Sequence, residues 1–408
     1  MAPPARIVPR PLVFRNMIPI FNFKNTFFLD LAFILIYFIL PSSSVLNKAN
    51  YHDSKRVVCY YSFPSSYYSL QPVNINTSLC THILVGFLTV NDSVIVISKE
   101  QEKIMKEVVI LKKTNANLKI MLSVGGGGGT FGFPEMVQTS ENRAKFIQSI
   151  QHIVEHLDLD GVDLDWEFPN DLFNNEKVNF IHLLQDIRQN INNSMKKYLI
   201  SVAVAAPITI VEVSYNIPEI NRLVDFVNIM SYDYNFYSWL TPWTGMNAPL
   251  YARSNEFFYF ATQNINYTSN YWVRKGLNKE KINIGLPVYA HTYKLKSAEK
   301  TYLGAPAIGN GVLGVGGSAK YGAICEFMKS QNLTPVFDKE TKSPYVTNGT
   351  EWVSFENEES IKYKTEFVLD NGFGGVMVFS LNSDDFEGKC KTGDKFPNTK
   401  LIHKIFLE

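Results

Sequence analysis

The feature that most constrains the fold of this 408-residue chain is an alternation. Eight short runs rich in β-branched and other apolar residues recur along it, separated by longer segments that can hold a helix. They are VVCYYS from Val57, THILVGFL from Thr81, LKIMLSVGG from Leu118, GVDLDWEF from Gly161, YLISVAVAAP from Tyr198, VDFVNIMSYD from Val224, INIGLPVYA from Ile282 and GGVMVFSL from Gly374. Between several lie amphipathic stretches such as RAKFIQSIQHIVEHL and VNFIHLLQDIRQNI, whose apolar residues recur at helical spacing. Eight strands alternating with helices is the count expected of an α/β chain closed into a (β/α)8 TIM barrel. The same alternation also suits an open doubly wound sheet, but no G-x-G-x-x-G follows the first run. The glycines from Gly125 to Gly129 follow the third run without a Walker lysine, so a phosphate-binding reading is weak.

The gap between the seventh and eighth runs is unusually long, and its GAPAIGNG turns and short β-like pieces predict a small α+β insertion. The expected division is a leader over 1–49, a barrel over 50–290 and 366–408, and an insertion over 291–365. In the leader, Arg6, Arg10, Arg15 and Lys24 precede an apolar run from Phe27 to Leu40 and then Ser42, Ser43 and Ser44. This is the pattern of a secretory signal peptide, with an uncleaved signal anchor as the alternative. Four cysteines and six N-x-[ST] sequons, at Asn76, Asn91, Asn192, Asn266, Asn332 and Asn348, point the same way, toward a secreted, disulfide-bonded protein. Net charge is +1 with no basic stripe, so nothing points to nucleic acid or an anionic membrane. No cofactor, metal site or protein partner is expected; the Cys and His spacings show no zinc pattern.

The chemistry concentrates in LDGVDLDWEFP, where Asp160, Asp163, Asp165 and Glu167 fall within eight positions. A strand puts alternate side chains on opposite faces, so Asp163, Asp165 and Glu167 share one face and Val162, Leu164 and Trp166 the other. In a barrel the apolar face meets the helices. The acids then point inward and step about 6–7 Å at a time toward the C-terminal mouth, with Glu167 last. Crowded carboxylates share protons, and one can stay protonated near neutral pH as a general acid must. Acids in line on one strand, not on facing strands, suit glycosidic cleavage in which the substrate supplies the nucleophile. Two other readings of the stretch remain: structural acids on a solvated edge strand, or ligands of a calcium loop, although the bulky alternation does not resemble a hand-type loop.

DGVDLDWE also matches in full the D-G-x-D-x-D-W-E motif of glycoside hydrolase family 18, the chitinases and chitinase-like lectins, which the chain resembles. Further motifs follow in order along nearly the whole mature chain: LCTHILVGF, SVGG, MSYDY, the PW-T-G-x-x-x-PLY run, GLPVY, GAPA and GGVMVFSLNSDDFEGKC. The resemblance implies a barrel with an α+β insertion and a retaining, substrate-assisted cleavage of chitin or β-1,4-linked N-acetylglucosamine oligosaccharides. It casts Glu167 as general acid, Asp165 as the residue that orients the substrate acetamide, Asp163 as its proton-sharing partner and Tyr232 as a donor to the acetamide oxygen. Asp233 is expected to contact the sugar or tune the acid. Met230, Tyr234, Trp239, Asn247, Tyr289 and Phe379 are expected to line the cleft, with Tyr60 and Phe87 at the ends of the first two runs. The family pattern implies disulfides Cys59–Cys80 and Cys325–Cys390. Lectin members commonly lose the acid that this chain keeps at Glu167, so an active enzyme is favoured over a glycan-binding or signalling protein.

Four departures from the family pattern bear on the substrate. Where the family often carries Trp after SVGG, this chain has Gly127; the first strand leads into SFPSS instead of a cleft Trp; and the last strand presents Phe379 where Trp is usual. An Arg frequent after the strand-seven Tyr is replaced around His291. Each lost ring platform removes about 1 kcal/mol of stacking, which favours soluble oligomers over crystalline chitin.

Overall fold

A computed structural model describes residues 55–66, 68–172 and 174–408, so the leader expected over 1–49 lies outside the described residues. Eight parallel strands close into a barrel. They are β1 (Arg56–Ser62), β2 (His82–Asn91), β3 (Lys119–Gly125), β4 (Gly161–Asp165), β5 (Leu199–Ala205), β6 (Phe226–Met230), β7 (Ile282–Pro287) and β8 (Gly375–Phe379). Each pairs with the next, and β8 returns to β1 with Val58 opposite Met377. All eight fall on the runs singled out by hydrophobicity. The open doubly wound alternative is excluded, because an open sheet leaves two edges unpaired and here there are none.

The helices between strands begin where polar side chains can take up free backbone N–H groups. Ser98 and Gln101 form a reciprocal box at the start of Lys99–Ile110, and Thr139 caps Ser140–His156. Their apolar stripes cover the outer face of the barrel. Val162 and Leu164 are fully buried there, while Trp166 stacks on Phe133 at 5.3 Å and meets Phe180 edge-on at 5.8 Å.

An antiparallel sheet of six strands occupies the gap after β7. Its first strand, Tyr289–Leu295, starts one residue beyond β7, and its last in sequence is Glu351–Ser354. The sheet therefore begins slightly earlier than residue 291. At the other end the helix Glu358–Asp370 runs straight through position 365. Asn357 and Ser360 cap that helix reciprocally, which sets its start well before 365. Cys59 bonds Cys80 at the base of β1, and Cys325, in the insertion helix Tyr321–Ser330, bonds Cys390 in the C-terminal segment.

The insertion is locked to the barrel by a buried ion pair. The Lys364 ammonium on Glu358–Asp370 meets the Glu356 carboxylate and donates to Ser343 Oγ of the insertion at 3.1 Å. Both side chains are almost fully buried, and Glu356 Oε2 has no hydrogen-bond partner among the described residues. Removing one partner of such a pair strands the other charge in a low dielectric. Lys364→Ala is expected to lower stability by about 3–5 kcal/mol, read from the denaturant midpoint, whereas replacing both charges with apolar residues of similar volume costs far less.

Candidate active site

Polar residues interrupt the apolar strands at one level of the lumen. Ser123 on β3, Asp163 on β4 and Ser201 on β5 are direct neighbours in the strand register. Asp163 is fully buried and accepts four hydrogen bonds. Tyr60 Oη and Ser123 Oγ reach Oδ2 at 2.8 Å, while Ser201 Oγ at 2.6 Å and Asn228 Nδ2 at 3.3 Å reach Oδ1. Burial pushes the Asp163 carboxyl up, and the four donors oppose that shift by favouring the charged form. The network continues downward, because Asn283 Nδ2 donates to Asn228 Oδ1 at 2.9 Å and Arg56 Nε donates to Asn283 Oδ1 at 3.0 Å.

Asp165 stands one inward step higher. Burial drives its pKa well above the usual carboxylate range, and Glu167 and Asp163 push it further. Its Oδ1 is buried without a hydrogen-bond partner among the described residues. The backbone passes close at this point: a Cβ on Gly125, at φ +112°, would lie 2.0 Å from the Asp165 carbonyl oxygen. That approach is why glycine ends β3.

β4 ends at Asp165, so the regular pleat stops before Glu167. Glu167 nevertheless stays within the cluster, half-buried at the mouth. Burial, with Asp233 adding to it, raises its pKa to about 7. A carboxyl that titrates there can donate a proton near neutral pH. Across from it, Tyr232 is buried, and burial together with the surrounding carboxylates keeps its phenol neutral. Among the described residues its hydroxyl hydrogen-bonds Met377 Sδ alone, at 4.0 Å, a weak acceptor.

Asp233 has a left-handed backbone, φ +57°, which a short polar residue tolerates. Asn247 Oδ1 accepts from its backbone N–H at 2.8 Å. The Asp233 carboxylate takes a hydrogen bond from Tyr289 Oη and lies 2.6 Å from His291 Nε2. Phe379 lies at the base of the mouth against Tyr232 at 5.6 Å and Tyr60 at 5.5 Å, and Phe87 stacks on Tyr60 at 5.7 Å.

The structure thus brings Tyr60, Phe87, Asp163, Asp165, Glu167, Tyr232, Asp233, Tyr289 and Phe379 into one cluster. Tyr60 takes part from beneath, fully buried on Asp163, and offers no surface to a ligand. Two residues expected in the cleft are instead turned inward. Tyr234 packs into the core and bonds Thr268 on the helix Ile265–Arg274, because its side chain leaves the loop on the opposite side from Asp233. Asn247 is buried and spends its amide on Asp233 and the Tyr289 carbonyl, so it positions the site without lining it. Met230 packs partly buried at the end of β6, and Trp239 stands 76% exposed on the following loop without a ring contact to the cluster. Asp160 lies at the other end of the barrel, accepting from Ile120 N at 2.8 Å and pairing with Lys112 at 2.6 Å. Sequence reading missed Ser123, Ser201 and Asn228. Each is a lone polar residue inside an apolar strand, which was the available signal. The contact of His291 with Asp233 had no local signal.

The model of glycosyl hydrolases family 18 matches residues 56–384. Human chitinase-3-like protein 2 is 32% identical over 342 residues, covering 82% of this chain and 87% of that protein. Mouse chitotriosidase-1 is 32% identical over 369 residues, covering 86% of this chain and 78% of that protein. Among solved structures, the immunomodulatory active chitinase of Trichuris suis aligns with a TM-score of 0.81 at 32% identity, covering 86% of this chain and 99% of its own. Human YKL-39, described as a pseudo-chitinase with retained chitooligosaccharide binding properties, aligns with a TM-score of 0.81 at 30% identity, covering 86% and 99%. The motifs, the closed barrel with its insertion and these matches agree: the chain belongs to glycosyl hydrolases family 18.

Proposed function

We propose that this protein is a retaining hydrolase of β-1,4-linked N-acetylglucosamine oligosaccharides, with Glu167 as the general acid. The observation that carries the proposal is the contrast between neighbouring acids. Asp163 has all its lone pairs engaged by donors, whereas Asp165 Oδ1 has none, and Glu167 titrates near 7. An acetamide fits that contrast. Its N–H meets the unpaired Asp165 oxygen, and its carbonyl oxygen accepts from Tyr232. So held, the carbonyl oxygen attacks the anomeric carbon while Glu167 protonates the departing glycosidic oxygen. The Glu167 carboxylate then takes a proton from the water that opens the oxazolinium ring, which restores the acid and retains the anomeric configuration. The likeness to YKL-39 favours a second reading, oligosaccharide binding without turnover. The same reading as an enzyme puts the protein in the secretory pathway. Its two disulfides and the exposed sequon asparagines Asn76, Asn91, Asn192, Asn332 and Asn348 support export, while Asn266 is half-buried.

A fluorogenic chitobiose conjugate separates the two readings. Wild type should release the fluorophore, and Glu167→Gln should lower kcat by about 100-fold or more with the fold unchanged by circular dichroism. Binding of the oligosaccharide by folded wild type with no release across pH 4–8 would leave the lectin reading. The pH profile supplies a further check. Glu167 is protonated below its pKa of about 7, so kcat should fall as pH rises through that value. Asp233→Asn removes one of the two causes of the raised pKa and should move that limb to lower pH. Finally, a Cβ at Gly127 would sit 3.6 Å from Glu167 Oε1, an ordinary contact, and the backbone there is not left-handed. Gly127→Trp is therefore expected to tighten binding of tri-N-acetylchitotriose about tenfold, measured by calorimetry in the Glu167→Gln protein.

A further inference from the structure

Trp243, Phe257, Phe260 and Tyr302 surround a cavity of about 660 Å³ beside the loop that follows β6. All four rings reach solvent: Trp243 is 38% exposed, Phe260 54%, Tyr302 55% and Phe257 65%. Phe258, between two of them, is 94% exposed and has φ +52°, a left-handed conformation that is an outlier for a bulky side chain. Open aromatic surface and backbone strain both work against stability, and their coincidence marks functional sites.

The frame beneath the rings is preformed. Trp243 and Pro306 make an antiparallel bridge, and Thr244 N donates to the Ala305 carbonyl at 2.9 Å. Thr244 Oγ1 accepts from Gly304 N and Ala305 N at 3.0 Å each and donates to the Tyr302 carbonyl at 3.2 Å. The Phe257 loop is tied by Arg253 N to Glu256 Oε2 at 3.0 Å and by Ser254 N to Glu340 Oε2 at 2.6 Å. A ligand here meets an ordered wall and costs little further ordering.

Asn235, Arg253 and Asn255 line the same cavity. Rings interleaved with amide and guanidinium groups suit a sugar, whose C–H faces stack while its hydroxyls and acetamides take hydrogen bonds. A purely apolar ligand would leave those groups unpaired. Asn235, two residues beyond Asp233 in the chain, anchors the loop between the two places by donating to the Met246 carbonyl at 2.9 Å. We propose that this cavity is a second carbohydrate-binding site, distinct from the catalytic mouth, that takes a short N-acetylglucosamine oligosaccharide and so holds a longer chain beside the barrel. The choice of sugar rests on the function proposed above.

The test uses the full chain with Glu167→Gln, titrated calorimetrically with tri-N-acetylchitotriose, with and without the pair Tyr302→Ala and Phe257→Ala. Two sites per chain are expected in the first protein and one in the second. Both side chains are exposed, so their loss leaves the core intact, and Asn255→Ala reads the polar half of the site independently. In the Glu167-intact protein, the same pair should leave turnover of the soluble chitobiose conjugate unchanged. Its retention on colloidal chitin should fall about tenfold. Equal stoichiometry with and without the aromatic pair overturns the inference. So does a patch that serves only lipid vesicles or self-association, read as loss of either in the variant without loss of sugar binding. Sugar bound at the cavity without any turnover would end the proposed function and leave this site standing. Turnover with only one bound sugar would do the reverse, and no binding at all would end both.

Discussion

The buried carboxylate of Asp163 is the constraint on which the rest of the site depends. A charge at the centre of a barrel is costly unless every lone pair is engaged, and here four donors from β1, β3, β5 and β6 supply the engagement. Those donors come from separate strands, so the carboxylate also fixes how the strands meet around the lumen. The hydrogen-bond chain through Asn228 and Asn283 to Arg56 links it to a cation at the far end of the barrel, where burial lowers the guanidinium pKa to about 10. The donors favour the charged form of Asp163 against the burial that pushes its carboxyl up, and Asp163 is one of the causes that push Asp165 well above the usual carboxylate range.

The surroundings of the carboxyls therefore change with height along this stretch of chain. At the lowest step donors outnumber the alternatives. At the next, a buried oxygen lacks any partner. At the mouth, partial exposure leaves Glu167 near 7, where it exchanges with solvent. Three acids of nearly the same intrinsic strength are separated by environment alone, which is the pattern by which one fold can hold both the base and acid forms of a carboxyl side by side. Tyr232 and Tyr289, kept neutral by burial and by nearby carboxylates, add donors without adding charge.

Much of this was legible from residues alone, because the signals are periodic and local. The eight barrel strands were readable from their apolar runs, and the inward set of acids from the alternation in GVDLDWEF. That alternation ended sooner than the sequence suggests. β4 stops at Asp165, and Glu167 reaches the cluster from beyond the strand. Tyr234 and Asn247 were misjudged because a loop has no fixed period from which to read direction. Tyr234 turned to Thr268, and Asn247 found Asp233 and the Tyr289 carbonyl, both contacts set by tertiary packing. The insertion was visible as a long gap, but its end was misplaced inside a helix whose cap at Asn357 is a single polar residue among many.

The insertion sheet also reaches into the chemistry of the mouth. His291 and Tyr289, on its first strand, touch the Asp233 carboxylate, and Ser354, on its last, accepts from the backbone N–H of Asn247, which in turn holds Asp233. Asp233 in turn helps raise the pKa of Glu167. A module that looks like an ornament on the barrel is thus wired to Glu167. Drift in the packing of that small sheet would be heard first as a change of pitch in the titration of one glutamate.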